Sequence, residues 1–172
     1  MTNEVIKKLS EAALDVRKKA YCPYSGFAVG AALLAKSGEI YTGVNIENAA
    51  FTPTNCAERT AFFTAVAKGE RDFVAVAIAG GKAGEEPEDF CAPCGVCRQV
   101  MREFCGDAFV IILAKPGEEK VYTLKDLLPQ SFRRETFWAK KRSGKKGGDF
   151  CAAYFGHYPQ KAGRRDADKG RD

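Results

Sequence analysis

Two short cysteine motifs constrain this chain more than anything else in it: Thr54-Asn55-Cys56-Ala57-Glu58-Arg59-Thr60 and, more than thirty residues later, Pro93-Cys94-Gly95-Val96-Cys97. Together they offer three thiolates and one carboxylate. A structural zinc site fills four tetrahedral positions with protein ligands, whereas a catalytic one keeps three and leaves the fourth to water. The fold must therefore carry two distant segments to one point and leave that point open.

The spacing also dictates local structure. Residues two apart on a helix face different ways, so Cys56 and Glu58 can serve one metal only at a helix's entry turn. There the first N–H groups are unpaired and the macrodipole is positive, which favours thiolate over thiol. Pro93 places Cys94 at the start of a second helix, whose Cys94, Cys97, Val100, Met101 and Phe104 share one face. Two helix N-termini converging on one zinc is the geometry implied. Three thiolates around Zn²⁺ leave a net negative charge, a poor setting for acidifying water, and Arg59 is the cation placed to offset it. A closed structural knuckle is the competing reading. It needs a fourth ligand, and the single histidine, His157, lies far off near the C-terminus, while Cys91 extends the second motif to CxxCxxC.

The chain has 172 residues, 45% of them hydrophobic, enough for one domain with a core and too few for two comfortable ones. Its seven cysteines are an odd number, and Met1–Ala20 mixes charges among its apolar residues with no signal-peptide core. Metal binding in a reducing, cytoplasmic setting fits better than a disulfide framework. No apolar run reaches membrane-spanning length. Of the +5 net charge, residues 133–172 carry the excess, with 12 Lys and Arg against 5 Asp and Glu. That divides the chain into a domain, 1–132, and a basic C-terminal extension, 133–172, expected to be solvated and mostly disordered, with nucleic-acid or subunit contact as the rival role.

Hydrophobic periodicity predicts a helix over 3–19 capped by Thr2 or Asn3, and a hairpin of strands 27–35 and 39–44 about Ser37-Gly38. A loop then leads to a helix over 56–68, a buried strand over 72–79 and a loop to the helix after Pro93. Strands over 107–114 and 121–124 and a last helical turn over 124–128 follow. This order predicts a mixed sheet covered by helices on both faces.

Four blocks in order resemble the cytidine deaminase family in its small, all-cysteine zinc form, from about Leu9 to Phe132. They are Tyr24-Ser25-Gly26-Phe27-Ala28-Val29-Gly30-Ala31, Asn45-Ile46-Glu47-Asn48-Ala49, Cys56-Ala57-Glu58-Arg59-Thr60 and Pro93-Cys94-Gly95-Val96-Cys97-Arg98-Gln99. The resemblance implies a three-layer α/β/α sandwich around a five-stranded mixed sheet, one Zn²⁺ per chain and a homotetramer. It implies hydrolytic deamination of cytidine and deoxycytidine in pyrimidine salvage, by a zinc-bound hydroxide with Glu58 as proton shuttle. Cys56, Cys94 and Cys97 match the zinc ligands, Asn45 and Glu47 the pair on the ribose 3′-hydroxyl, and Phe27 the aromatic stacked on the pyrimidine. Ala57 would meet the base carbonyl through its N–H, Ala49 and Phe51 fall in the same pocket loop, and Phe132 matches an aromatic that reaches a neighbouring subunit's site. Three alternatives stay open: a deaminase of a cytosine-containing antibiotic, a polynucleotide-editing deaminase and a non-catalytic zinc module. Asn45 and Glu47 favour a free ribose, since Glu47 would repel a 3′-phosphate.

Overall fold

The computed structural model describes residues 1–132, so the expectations for 133–172 lie outside the described residues. Nine elements follow one another: α1 (Asn3–Arg17), β1 (Phe27–Ala35), β2 (Ile40–Val44), α2 (Ala57–Ala67), β3 (Phe73–Lys82), α3 (Gly95–Phe104), β4 (Val110–Lys115), β5 (Glu118–Thr123) and α4 (Leu124–Leu127). The strands form one sheet in the order β2-β1-β3-β4-β5. Only the β3–β4 pair is parallel, with α3 making the crossover; the other three pairs are antiparallel. The expected element order and mixed sheet stand.

Both faces of the sheet are covered. On one, Leu9 and Ala13 of α1 pack against Ala32, Ala75, Ala77, Ala79, Ile112 and Ala114. On the other, Ala61 and Phe62 of α2 and Met101 of α3 bury Leu33, Val76, Ile78 and Ile111. Phe62 anchors that layer, its ring 4.9 Å from Phe73 and 5.9 Å from Phe104 between centroids. The result is the expected α/β/α sandwich.

One close approach positions the site. A Cβ on Gly43 of β2 would stand 2.4 Å from Ala57 O and 2.4 Å from Ala61 N, so only glycine lets the first turn of α2 rest on the sheet. Ala57 is fully buried there. The start of α2 is thus fixed by backbone contact rather than by long side chains.

Several boundaries differ from expectation for physical reasons. β3 runs past Ala79 to Lys82 because Val29, Ala28 and Phe27 of β1 pair with Gly80, Gly81 and Lys82. β5 begins at Glu118, its charged residues taking strand form on an exposed sheet edge by pairing with β4. Arg17, at the end of α1, is buried and donates to the carbonyls of Ala28, Lys82 and Glu85. At α3, by contrast, Pro93 sets Cys94 at the helix start as expected, with Cys94 itself the N-cap.

Candidate active site

Cys56 caps α2 and Cys94 caps α3, both with extended backbone (φ −77°, ψ 155° and φ −68°, ψ 166°). Neither sulfur bonds its own helix's N–H groups; both turn toward each other. Cys56 Sγ and Cys94 Sγ are 3.9 Å apart, Cys94 Sγ and Cys97 Sγ 3.5 Å, and all three lie within 4.8 Å of one another. Tetrahedral zinc with Zn–S bonds of about 2.3 Å sets its sulfurs about 3.8 Å apart. The three sulfurs therefore fit zinc with a position to spare. Cys91 does not join the group. Burial first, and then Glu58 and its cysteine neighbours, push the Cys91 thiol up to about 11, where it is a poor ligand.

The electrostatics agree with a cation site. A hydrogen bond from Cys97 and then the Arg59 guanidinium pull the Cys56 thiol down to about 5, while Cys97 is raised by its bond to Cys56 and by burial. Arg59 Nη2 donates to Cys56 Sγ at 3.4 Å and to Thr54 O at 3.2 Å, the contact expected of a charge that offsets the thiolates.

Glu58, two residues after the Cys56 cap, is only 5% exposed. Burial raises its carboxyl above the usual range, and the Cys56 thiolate adds to that. A carboxyl so placed takes up and releases a proton more readily near neutral pH than an exposed one.

A cavity of about 310 Å³ opens over these groups. Cys56, Ala57, Glu58, Cys91 and Cys94 line it, together with Phe27, Asn45 and Glu47. Asn45 lies just past the end of β2 and behaves as one further backbone unit: its Oδ1 accepts from Val29 N and its Nδ2 donates to Phe27 O, each at 2.8 Å. One Nδ2 hydrogen and one Oδ1 lone pair remain for a ligand. Glu47 Oε2 accepts from Tyr24 N at 2.9 Å and Ser25 N at 3.2 Å, which fixes the carboxylate in the cavity lining, where it can accept from a hydroxyl. The Ser25 hydroxyl and these N–H groups hold the Glu47 carboxyl below its ordinary range.

Cys56, Cys94, Cys97, Glu58, Arg59, Ala57, Phe27, Asn45 and Glu47 are thus brought to one place. Ala49 and Phe51 are not: neither lines the cavity, and Phe51, 72% exposed with φ +56°, borders a second opening of about 670 Å³ beside Tyr24. Phe132 is likewise exposed, its carbonyl held by Gln99 Nε2 at 2.9 Å. Ser25, Val29, Thr54, Asn55 and Ala92 line the cavity without having been singled out. Each lies within two positions of a singled-out residue in the chain, and the bridges Tyr21–Ile46 and Ile46–Asn55 bring the segments of Ser25, Glu47 and Asn55 together.

Three sulfurs with zinc spacing around a buried carboxyl, at the ends of helices on an α/β/α sandwich, define a zinc-dependent hydrolytic centre. Over residues 3–113 the sequence matches the family described as the cytidine and deoxycytidylate deaminase zinc-binding region. A cytidine deaminase of Sporosarcina psychrophila is 47% identical over 131 residues, covering 76% of this chain and 93% of that protein. A cytidine deaminase from Burkholderia pseudomallei, solved at 1.6 Å, superposes with a TM-score of 0.68 at 44% identity, covering 77% of this chain and all of that one. A blasticidin-S deaminase of Bacillus cereus is 33% identical over 109 residues, 62% of this chain and 77% of that protein. The chain belongs to the cytidine and deoxycytidylate deaminase family.

Proposed function

We propose that this protein deaminates cytidine and deoxycytidine hydrolytically, yielding uridine or deoxyuridine and ammonia, as a step of pyrimidine salvage. One observation carries the reading: the buried Glu58 carboxyl lies beside three zinc-spaced sulfurs in a cavity that Asn45 and Glu47 also line. Bound by Cys56, Cys94 and Cys97, zinc supplies a Lewis acid that makes water nucleophilic near neutral pH. Glu58 takes the proton that water gives up and hands it to the ring N3 as the water oxygen bonds to C4; it then takes the proton of the new C4 hydroxyl and delivers it to the amino group as the C4–N bond breaks, so that water and substrate become product and ammonia. The Ala57 N–H, one of the unpaired donors of the first turn of α2, holds the base carbonyl. Phe27 stacks on the ring. Asn45 and Glu47 take the 3′-hydroxyl, and the Glu47 charge turns away a 3′-phosphate.

The assembly proposed is a homotetramer. Exposed Tyr24 and Phe51 beside the cavity, with Phe132 and Val96 also exposed, are the apolar surface that neighbouring copies would cover, and Ala49, Phe51 and Phe132 would then serve a neighbour's site. No helix among the described residues is long and apolar enough to cross a membrane, which agrees with a cytoplasmic enzyme. The catalytic domain proposed is 1–132, with 133–172 dispensable for chemistry.

Ammonia release from cytidine, deoxycytidine, 3′-deoxycytidine, blasticidin S and single-stranded DNA tests this. The first two should react fast, 3′-deoxycytidine poorly, and the chain truncated after Phe132 much like the full one. Blasticidin S outpacing cytidine would make this an antibiotic deaminase, the reading its similarity to the Bacillus cereus protein favours. If Glu58→Ala keeps its zinc and still deaminates cytidine as the wild type does, the proton pathway is wrong.

A further inference from the structure

The three sulfurs are not equally secured. Cys97 is buried and Cys56 half-buried, but Cys94 is exposed. Beside Cys94 the Pro93 ring is fully buried but has no N–H to donate, a Cβ on Gly95 would meet nothing within 4 Å, and the Cys94 sulfur makes no capping bond to its own helix. The peptide carbonyls on either side of it are what can be gripped.

The carbonyl after it, Cys94 O, is taken by the ordinary helical bond from the Arg98 backbone N at 3.0 Å; the carbonyl before it, Pro93 O, is held by the Arg98 side chain, whose Nε donates to it at 2.7 Å. The same guanidinium is tied from behind, Nη1 donating to Leu127 O at 2.8 Å at the end of α4. That end is itself fixed, because Thr123 and Asp126 close a capping box at the start of α4 and Leu124 is fully buried. A charge-assisted bond from a planar, five-donor group to two carbonyls fixes direction as well as distance.

We propose that Arg98 is a positioning residue for the metal centre, its guanidinium clamping the Pro93–Cys94 peptide to the C-terminal end of α4 so that the exposed sulfur keeps its aim. Neighbouring Gln99 holds Phe132 O and touches neither flanking carbonyl, so it marks the difference between tying down the C-terminal segment and aiming the ligand. The proposal rests on the assignment of Cys56, Cys94 and Cys97 as zinc ligands.

The test compares zinc-loaded wild type, Arg98→Gln, Arg98→Lys and Gln99→Ala. It reads the rate of zinc release into excess chromogenic chelator, and the gap in unfolding temperature between zinc-loaded and zinc-stripped protein. Arg98→Gln should release zinc about tenfold faster or more, the usual scale for residues that orient a ligand from behind. Arg98→Lys keeps the charge but loses the fork and should fall between, and Gln99→Ala should release zinc at the wild-type rate. The temperature gap should narrow in Arg98→Gln, since weaker zinc binding stabilises the folded state less. Release at the wild-type rate, or loaded and stripped forms destabilised equally with the gap unchanged, overturns the proposal. If Arg98→Gln fails to fold, Arg98→Lys decides by the same criteria. A wild-type protein that holds no zinc removes the ligand assignment itself, whereas one that holds zinc with release unchanged in the variants removes only the clamp.

Discussion

The entry turns of α2 and α3 are built to one plan and do different work. Each begins with a cysteine as N-cap, in extended conformation and with no capping bond of its own. The next two residues diverge: Ala57 and Glu58 on α2 are 0% and 5% exposed, while on α3 Gly95 stands clear of its surroundings and Val96 is 59% exposed. Gly43 admits α2 to within backbone contact of the sheet, and the burial that follows is what raises the Glu58 carboxyl. Nothing presses on α3 in the same way. A sulfur can be set at a helix start with the residues after it left in the open, but a proton-carrying acid there also needs the helix driven into the core.

Substitutions at matching positions put this contrast under strain. Glu58→Ala should lower kcat by about 10²- to 10⁴-fold with zinc retained, the span typical of a lost general acid–base group; a steady-state assay alongside metal analysis reads it. Arg59→Gln should lower kcat about tenfold in zinc-loaded protein, because the Cys56 sulfur then returns more charge to the metal. Gly43→Ala should destabilise the fold by about 1–3 kcal/mol in denaturant titration, since the new methyl meets the backbone of α2. Gly95→Ala, the counterpart of Ala57 on α3, should have the opposite sign and stabilise by about 0.4–1 kcal/mol through loss of unfolded-state freedom. If Gly95→Ala proved as damaging as Gly43→Ala, the two entry turns would be equally confined and the contrast would fail.

How much of this could be read from the residues varies with the distance over which the causes act. The run Phe27–Ala35 has the bounds of β1, and the placement of Cys56 at an entry turn follows from i, i+2 geometry alone. The extension of β3 to Lys82 depends on pairing with residues more than fifty positions earlier, which no local pattern records. Edge strand β5 carries Glu118, Glu119 and Lys120, whose composition argues against a strand until β4 is beside it. Arg17 could not be told from a solvated charge, because its acceptors are carbonyls of two other segments. Arg98 was part of a recognised block, yet its role appears only when Leu127 is folded back against it. Asn45 and Glu47 were expected to face a ligand, but the bonds that aim them, to Phe27, Val29, Tyr24 and Ser25, belong to the packed chain.

Asn45 carries one consequence for how such a protein ages. Its side-chain amide stands in for a peptide unit, giving a hydrogen to Phe27 O on one side and taking one from Val29 N on the other. Slow spontaneous hydrolysis of that amide to an acid would replace the donor by an acceptor facing the Phe27 carbonyl. Oxygen would then oppose oxygen, and the wall bearing Phe27 would be pushed from the cavity. The same change, ammonia exchanged for water at an sp² carbon, would disable a site that carries it out on its substrates.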